Sequence, residues 1–518
     1  MTTMFTSIAQ IVRHWGRCTG AATAVVSPFR SWTYAELDEE SNRVAQGLLS
    51  LGIKSGDRVG CLTRNSAECL ILLFAAAKIG AVCTPLNWRL APSELEFVIG
   101  HSEAKLLVVD SAFLPTIESL DLSRVETLII AEPGFDGSLA AWAAGFDPVD
   151  PEYPSCSDET VLQLYSSGTT GRPKGVEITH AGLLYQCSAI GECFGIRGSD
   201  RTVLLDVLPN FHVSGSVVCL SLLHVGAVVV TRPEFAPEQI LETIDSYAVT
   251  HAVMVPTMIR MLVQALVAKR KSLPSLRVLG YGGSPVSEAV LREVQAVSSS
   301  SLVQIYGMTE LSGIATCLAS DDHADPELLR SAGRALPGIE LSIRGSDDGQ
   351  LFEEGKAGEV WIRSPSVMKG YFRNPEASSE VIPESADGWL RSGDVGYLKK
   401  GYLFIIDRLK EMIISGGENI YPTEVENVLS AHPAVADVAV IGVPDPTWGE
   451  AVKACVVLKE GVQADAADLL AFARQRLAHY KCPKSIDFLP ALPRNPSGKL
   501  MKRALRAPYW EGKDRAIG

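Results

Sequence analysis

Short buried-strand patterns alternate with helical windows over most of the chain. Residues 58–63 read as a buried strand, residues 67–79 as a helix and residues 81–85 as a strand again. Further strand patterns lie at 105–109, 127–130, 160–165, 203–207, 227–231, 251–255, 276–281 and 302–306. Strands separated by helices are joined by crossover connections, so the pattern predicts an α/β fold with largely parallel, layered sheets.

The pattern changes in the last third of the chain. Between residues 333 and 406, short strands broken by Gly and Pro predict a small antiparallel or barrel-like subdomain. After Arg408, two predicted helices (423–431, 464–479) and three strands (435–443, 451–458, 485–489) form an α+β segment. Because 518 residues exceed a single core, we expect a large N-terminal domain and a small, mobile C-terminal lid domain. The predicted bounds are 1–407, containing two α/β subdomains and the barrel-like subdomain, and 408–518.

Composition excludes several classes of protein. The hydrophobic content of 47% is that of a globular protein, and the net charge of −13 disfavours a nucleic-acid-binding surface. No window offers the roughly 20 apolar residues of a membrane span, and the N-terminal segment lacks the apolar core of a signal peptide. The 11 cysteines include no C-x-x-C pair, so we expect neither a disulfide framework nor a zinc cluster, and a reduced, cytoplasmic setting.

The strongest local motif is a loop rich in glycine and hydroxyl groups at residues 165–176. Glycines let backbone amides approach phosphate oxygens, hydroxyls donate further hydrogen bonds, and a lysine adds a positive charge. The spacing differs from G-x-x-x-x-G-K-[ST], so a P-loop kinase or GTPase is not indicated. A flexible surface turn is the alternative at this stage. The candidate phosphate ligands are Ser166, Ser167, Gly168, Thr169, Thr170, Gly171 and Lys174.

Further motifs follow in order along the chain, at residues 209–215, 280–285, 303–310, 389–394, 407–410, 415–422 and 493–499. Each has an ordinary structural interpretation when it is taken alone. A single histidine such as His212 is usually a core residue, and a lysine such as Lys499 in a Pro/Gly loop is usually a solvated surface charge.

Taken together, these motifs resemble the adenylate-forming superfamily of acyl-CoA synthetases, luciferases and peptide-synthetase adenylation domains. The likeness runs from residues 32–37 to 497–500 and is strongest to bacterial AMP-forming fatty-acyl-CoA synthetases. It implies a ligase that uses ATP and Mg²⁺ to form an acyl-adenylate and then passes the acyl group to coenzyme A. The expected substrate is a medium- or long-chain fatty acid; an aryl or cinnamate-type acid and an alicyclic or sterol-derived acid are alternatives.

The resemblance also implies residue roles. The catalytic residues would be Lys499, His212, Thr309 and Glu310, with Glu310 holding the metal. The nucleotide would contact the phosphate loop and Gly282, Gly283, Ser284, Tyr306, Asp394 and Arg408. Lys410 would be a hinge, and coenzyme A would lie along Ser415, Gly416, Gly417 and Asn419. The acyl pocket would be lined by His212, Val213, Ser214, Gly280, Met308 and Gly313, with Gly215 and Gly282 also leaving room for the substrate.

One argument about the substrate, one departure from the family pattern and several alternatives bear on this interpretation. Residues 211–215 contain no acidic side chain to pair with an α-ammonium group, which argues against an amino-acid substrate. Ile305 stands where relatives often have a glycine before the tyrosine. A luciferase-like oxygenase shares these motifs, and a non-catalytic acyl-adenylate sensor is an alternative from another class. The sequence leaves open the oligomeric state, a homodimer included, and peripheral contact with a membrane.

Overall fold

The computed structural model describes residues 5–123, 125–131, 138–166, 172–196, 201–284, 286, 288–345, 349–416, 418–494 and 500–511. In it the chain divides into two compact units. The first contains Met1–Glu340 and Arg363–Leu390, and the second contains Leu341–Ile362 and Arg391–Gly518. The second unit therefore includes strands that precede residue 408, while the lid domain expected over 408–518 stays a prediction.

Capping residues mark where several helices begin. The Thr33 hydroxyl accepts a hydrogen bond from the backbone N–H of Glu36, and the Glu36 carboxylate accepts one from the backbone N–H of Thr33. This capping box starts the second helix. The described helices are α1 (Ala9–Cys18), α2 (Tyr34–Ser50), α3 (Ala67–Ala77), α4 (Pro92–Ser102), α5 (Leu114–Ile117), α6 (Leu139–Ala143), α7 (His180–Cys193), α8 (Val213–His224), α9 (Pro237–Tyr247), α10 (Pro256–Lys269), α11 (Glu288–Val297), α12 (Pro375–Val381), α13 (Pro422–Ser430), α14 (Ala466–Arg474) and α15 (Lys502–Trp510).

The strands agree closely with the alternating pattern of the sequence. They are β1 (Thr23–Val26), β2 (Ser31–Thr33), β3 (Arg58–Leu62), β4 (Val82–Pro85), β5 (Ala104–Val109), β6 (Thr127–Ile130), β7 (Thr160–Ser166), β8 (Lys174–Thr179), β9 (Val203–Asp206), β10 (Val228–Thr231), β11 (His251–Met254), β12 (Val278–Gly282), β13 (Ser301–Met308), β14 (Gly313–Leu318), β15 (Gly333–Ala335), β16 (Glu340–Arg344), β17 (Gly358–Arg363), β18 (Gly370–Tyr371), β19 (Leu390–Lys399), β20 (Tyr402–Arg408), β21 (Ile413–Ser415), β22 (Glu418–Ile420), β23 (Val435–Asp445), β24 (Gly449–Leu458) and β25 (Ser485–Phe488).

The first unit contains two sheets whose centres are parallel. One sheet has the order β18-β8-β7-β4-β3-β5-β6, and the strands of the other run β15-β14-β13-β12-β11-β9-β10-β1-β2. Pairs such as β3 with β4 and β12 with β13 are parallel, whereas β7 with β8 and β13 with β14 are antiparallel. The predicted α/β class is therefore confirmed.

The second unit has its own core. Its strands follow the orders β16-β17-β19-β20 and β22-β21-β24-β23, with β25 parallel to β24. The side chains of Ile413, Val425, Leu429 and Val440 are fully buried in this core. Asp407 Oδ2 accepts hydrogen bonds from the backbone and hydroxyl of Thr423 at 2.8 and 3.0 Å, which joins the end of β20 to the start of α13.

One disulfide was not anticipated. Cys193 at the end of α7 is bonded to Cys317 on β14, while the other nine cysteines are free. The expectation of a fully reduced set of cysteines was therefore wrong for this pair, because residues 124 apart in sequence give no spacing signal. In the described part of the chain, no helix is long and apolar enough to cross a membrane.

Candidate functional site

Glu310 lies at the centre of the candidate site in the first unit. It sits in a single 3-10 turn, Thr309–Leu311, between the antiparallel strands β13 and β14. Its side chain is buried, and its Oε1 accepts hydrogen bonds from Ser166 Oγ at 3.2 Å and from Tyr371 Oη at 2.9 Å. The Met368 backbone N–H donates to the Glu310 carbonyl at 2.8 Å. The carboxylate is thus held by residues from two distant parts of the chain, and the segment that contains Tyr371 also binds the Glu310 backbone.

Lys174, on β8, contacts Tyr371, the tyrosine that donates to Glu310. It is the first residue of that strand and pairs with Ser166 at the end of β7, so the loop between these strands begins and ends at the site. Lys174 Nζ lies 4.8 Å from the centre of the Tyr371 ring, within the range of a cation–π contact. The structure therefore brings Ser166, Lys174 and Glu310 together around Tyr371, a residue that the sequence analysis missed.

A buried glutamine fixes the turn that carries Glu310. Gln186 on α7 is fully buried; its Nε2 donates to the carbonyls of Leu311 at 3.2 Å and Ile314 at 2.9 Å, and its Oε1 accepts from Ile314 N at 3.0 Å. Ser312 Oγ also donates to the Ser366 carbonyl at 2.8 Å. No local sequence signal pointed to Gln186, because its partners lie more than a hundred residues away.

The predicted nucleotide contacts around Gly282 and Tyr306 lie on two adjacent parallel strands. Gly282 at the end of β12 is opposite Ile305 on β13, and Tyr306 follows Ile305. A Cβ on Gly282 would lie 2.3 Å from the Ile305 carbonyl oxygen, so close strand packing requires glycine here. Gly283 has a φ of +77°, which turns the chain away from the strand before Ser284.

His212 precedes the first residue of α8, Val213, and its imidazole is neutral at pH 7. Burial, with a smaller effect from the charge of Arg89, lowers the pKa of His212 to about 4. Its Nε2 is buried and has no hydrogen-bond partner within the described residues. A neutral ring can accept or donate a hydrogen bond toward a substrate, but it cannot serve there as a fixed positive charge.

A buried polar network supports the segment that carries His212. Asn210 donates from its backbone to Asn65 Oδ1 at 3.0 Å and from its side chain to Asp206 Oδ2 at 3.3 Å. Asn65 Nδ2 also donates to the Leu208 carbonyl at 2.8 Å. Burial raises the pKa of Asp206 to about 6, since its ionised form is poorly solvated.

The glycines expected to leave room for the substrate are packed against protein atoms. A Cβ on Gly280 would lie 3.0 Å from the ring of Phe194, and on Gly215 it would lie 2.3 Å from the Pro209 carbonyl oxygen. For Gly313 the corresponding contact is Gln186 Oε1 at 2.6 Å. The expectation that these glycines leave open space was wrong. At each of them, the lack of a side chain allows another part of the protein to pack closely against the backbone. Ser214 and Met308 are both partly exposed.

The second unit holds the remaining described candidates. Asp394 on β19 faces Arg408 on β20, with Arg408 Nε 2.6 Å from Asp394 Oδ1. Lys410 lies in the 3-10 turn Leu409–Glu411, and its carbonyl accepts a hydrogen bond from Arg506. Gly416 N donates to the Trp448 carbonyl at 2.8 Å. Ser415 and Asn419 belong to the antiparallel pair β21 and β22.

Several predicted residues fall outside the described part of the chain, and their roles stay predictions. They are Ser167, Gly168, Thr169, Thr170, Gly171, Gly417 and Lys499.

Comparison with known protein families shows which family the chain belongs to. The AMP-binding enzyme family matches residues 12–372, and the AMP-binding enzyme C-terminal domain matches residues 424–499. The chain belongs to the AMP-binding enzyme family. The resemblance to adenylate-forming enzymes is therefore confirmed over both the N-terminal and C-terminal motifs.

Individual relatives of this AMP-binding enzyme are similar over nearly their whole length. The fatty acid–[acyl-carrier-protein] ligase ScoC of Streptomyces coeruleorubidus is 37% identical over 503 residues, 95% of each chain. A feruloyl-CoA synthase of an Amycolatopsis species is 39% identical over 489 residues, 94% of this chain and 95% of its own. The crystal structure of ATP-bound MatB from Rhodopseudomonas palustris superposes with a TM-score of 0.89 at 30% identity, covering 97% of this chain and 99% of MatB.

Proposed function

We propose that this AMP-binding enzyme ligates a medium- or long-chain fatty acid to coenzyme A in two steps, through an acyl-adenylate. The observation that carries the proposal is the grouping of Ser166, Glu310 and Lys174 around Tyr371: Ser166 and Tyr371 donate to the buried Glu310 carboxylate, and Lys174 lies over the Tyr371 ring. A hydroxyl, a positive charge and a carboxylate in one place are suited to a metal–triphosphate substrate. Family membership and the ATP-bound MatB structure support ATP as that substrate.

In the first step, a carboxylate oxygen of the acid forms a bond to the α-phosphorus of ATP. The bond from that phosphorus to pyrophosphate breaks, and pyrophosphate leaves with its electron pair. Lys174 and the loop hydroxyls would bind the β- and γ-phosphates, while Thr309 and Lys499 would stabilise charge at the α-phosphate. Tyr306 and Gly282–Ser284 would bind adenine, and Asp394 and Arg408 the ribose.

The carboxylate of Glu310 is suited to act as a magnesium ligand. Two donors hold Oε1, and among the described residues no cluster of three or more His, Cys, Asp or Glu could hold a metal on its own. This matches Mg²⁺, which is usually bound by one or two carboxylates together with substrate phosphates. When bound, Mg²⁺ would neutralise part of the phosphate charge.

In the second step, the sulfur of coenzyme A forms a bond to the acyl carbonyl carbon. The bond from that carbon to the AMP oxygen breaks, and the thiol proton is released. Rotation of the lid domain about Lys410 would withdraw Lys499 and present Ser415, Gly416, Gly417 and Asn419 to coenzyme A.

Substrate identity is tested by pyrophosphate release over a panel of carboxylic acids, with Mg²⁺ and ATP, with and without coenzyme A. Fast turnover of one range of fatty-acid lengths, dependent on coenzyme A and yielding AMP, supports the proposal. Turnover of aromatic acids alone would retain the ligase reaction and favour an aryl acid, the second candidate, for which the feruloyl-CoA synthase relative is the supporting observation. A protein that binds ATP but releases no pyrophosphate with any acid would be a sensor instead.

The assignment of Lys499 to the first step alone is tested with Lys499→Ala. This variant should lose adenylate formation and retain thioester formation from a supplied acyl-adenylate, because the lysine is proposed to act only in the first step. Lys459→Ala removes an exposed lysine elsewhere in the second unit and should leave both steps intact. Equal loss of both steps in Lys499→Ala would contradict the domain-alternation scheme.

A further inference from the structure

Tyr371 lies between the positive and the negative side chain of the candidate site. Its hydroxyl is 2.9 Å from Glu310 Oε1, and the centre of its ring is 4.8 Å from Lys174 Nζ. The residue is 8% exposed, so both contacts are made in a largely desolvated environment. Tyr371 is thus in contact with both charged groups that the proposed reaction uses.

The backbone around Tyr371 determines where its side chain lies. Tyr371 belongs to the short strand β18, which pairs antiparallel with β8 so that Tyr371 is opposite Val176. The flanking amides of Lys369 and Phe372 donate to the carbonyls of Glu177 and Gly175 at 2.9 and 2.7 Å. Since Lys174 begins β8, the pairing of β18 with β8 places the Tyr371 ring close to the lysine.

The tyrosine hydroxyl occupies one of the two carboxylate oxygens of Glu310. A phenol has one proton to donate, and here it donates to Oε1, the oxygen that also accepts from Ser166 Oγ. Within the described chain, Oε2 receives no hydrogen bond. Two donors on one oxygen therefore orient the carboxylate and leave the other oxygen for a cation.

The aromatic ring has a separate effect on Lys174. In the described part of the chain, Lys174 forms no ion pair with Glu310 and lies over the Tyr371 ring instead. The face of an aromatic ring attracts a cation without neutralising it. A direct Lys174–Glu310 ion pair would occupy both groups, so the ring keeps them available for a phosphate and a metal.

We infer that Tyr371 is a positioning residue of the adenylation site: its hydroxyl orients Glu310 and its ring separates Lys174 from that carboxylate. The inference rests on the proposed function, in which Glu310 binds Mg²⁺ and Lys174 binds phosphate. Tyr371 itself contacts neither the metal nor the reacting atoms in this scheme.

The test is calorimetric titration of the apo protein with ATP, in the presence and absence of Mg²⁺. Tyr371→Phe keeps the ring and removes the hydroxyl, so ATP binding with Mg²⁺ should weaken by about tenfold, as expected for losing a hydrogen bond to a charged group. Binding of metal-free ATP should change less than about twofold, since Lys174 keeps its aromatic neighbour. Tyr371→Leu removes both contacts and should weaken ATP binding under both conditions.

Two further variants separate positioning from a general loss of stability. Tyr34→Phe removes another buried tyrosine hydroxyl, which donates to the Ala227 carbonyl at 2.7 Å, and should leave ATP binding unchanged. In a Glu310→Gln background, Tyr371→Phe should have no further effect on the Mg²⁺ dependence, because the tyrosine acts through the carboxylate. If Tyr371→Phe does not fold, the Mg²⁺ dependence of ATP binding is measured in Tyr371→Leu, which also lacks the hydroxyl, and the dependence should be reduced there.

The outcomes distinguish the two levels of inference. If the unsubstituted protein binds ATP without any Mg²⁺ dependence, the proposed role of Glu310 fails. If the unsubstituted protein shows that dependence and folded Tyr371→Phe retains it in full, the positioning role of Tyr371 is overturned. Full Mg²⁺ dependence in folded Tyr371→Leu would overturn it equally where Tyr371→Phe is unfolded.

Discussion

Asp394 and Arg408 face each other on neighbouring antiparallel strands, and Arg408 Nε lies 2.6 Å from Asp394 Oδ1. The aspartate side chain is 4% exposed, whereas the arginine side chain is 44% exposed. Ser392 Oγ also accepts a hydrogen bond from the Asp394 backbone at 3.0 Å. The Asp394 carboxylate is therefore buried and paired with a guanidinium group that is itself partly exposed to solvent.

Arg408→Gln should raise the KM for ATP by about tenfold and change kcat less, because loss of the guanidinium frees the proposed ribose ligand to reorient. Stability should change little, since partly exposed ion pairs contribute about 0–1 kcal/mol. KM is measured by pyrophosphate release. Arg363→Gln breaks a 2.7 Å pair with Glu340 in the other unit and serves as the matched control. Equal KM values in the two variants would contradict a role for Arg408 in nucleotide binding.

Phe194 occupies the space beside Gly280, so Phe194→Ala should extend turnover to bulkier or longer acids. The same substitution should cost about 3–5 kcal/mol of unfolding free energy, because it removes a buried aromatic side chain. The acid panel and denaturant unfolding measure the two effects. Phe74→Ala removes a fully buried ring from α3 and should cost similar stability without altering the acid range. An unchanged acid range in Phe194→Ala would exclude Phe194 from the acyl pocket.

The sequence predicted the elements whose signal is local. Short runs of mostly apolar residues located β9, β11 and β13 to within a residue or two, because the burial of a strand is visible in consecutive residues of the sequence. Lys174 was singled out by the chemistry of its loop, whereas Glu310 was assigned a role only through the resemblance to adenylate-forming enzymes. The motifs did not predict which strands pair. The pairing of β8 with β7 and β18, together with the 3-10 turn that carries Glu310, places both residues next to Tyr371.

The missed features depend on contacts between distant residues. Tyr371 and Gln186 lie in segments without a chemical motif, and their roles arise from partners 61 and 125–128 residues away. Gly280 suggested empty space, yet whether space beside a glycine is empty depends on which distant side chain fills it, here Phe194. The predicted helix at 464–479 ends at Arg474, because residues beyond it turn into a 3-10 segment at His479–Lys481.

His180 should make the protein more stable at pH 7 than at pH 5. Its Nδ1 accepts a hydrogen bond from Ile8 N at 3.2 Å, and burial lowers the pKa of His180 to about 4. Between pH 6.5 and 4 the unfolded chain therefore binds a proton that the folded protein does not, so stability falls as the pH is lowered through this window. His180→Asn should reduce the difference in unfolding free energy between pH 7 and pH 5 by about 2 kcal/mol.

Asp206 supplies a control of opposite sign in the same pH range. Burial raises the pKa of Asp206 to about 6, so the folded protein holds a proton that the unfolded chain has lost between pH 4 and 6. Asp206→Asn should therefore increase the stability gained from pH 5 to pH 7, by about 1 kcal/mol. Denaturant unfolding at the two pH values measures both variants. Shifts of the same sign would contradict the assigned protonation states.

The Cys193–Cys317 bond should contribute measurably to stability, because it closes a long loop and so restricts the unfolded chain. Reduction, or the paired substitutions Cys193→Ser and Cys317→Ser, should lower the unfolding free energy by about 2–4 kcal/mol. Cys18→Ser alters an exposed free cysteine and should have no effect. Titration of the denatured, unreduced protein should find nine thiols, and the fully reduced protein eleven. Eleven thiols before reduction would show that the bond does not form, and reductant would then leave the unfolding free energy unchanged.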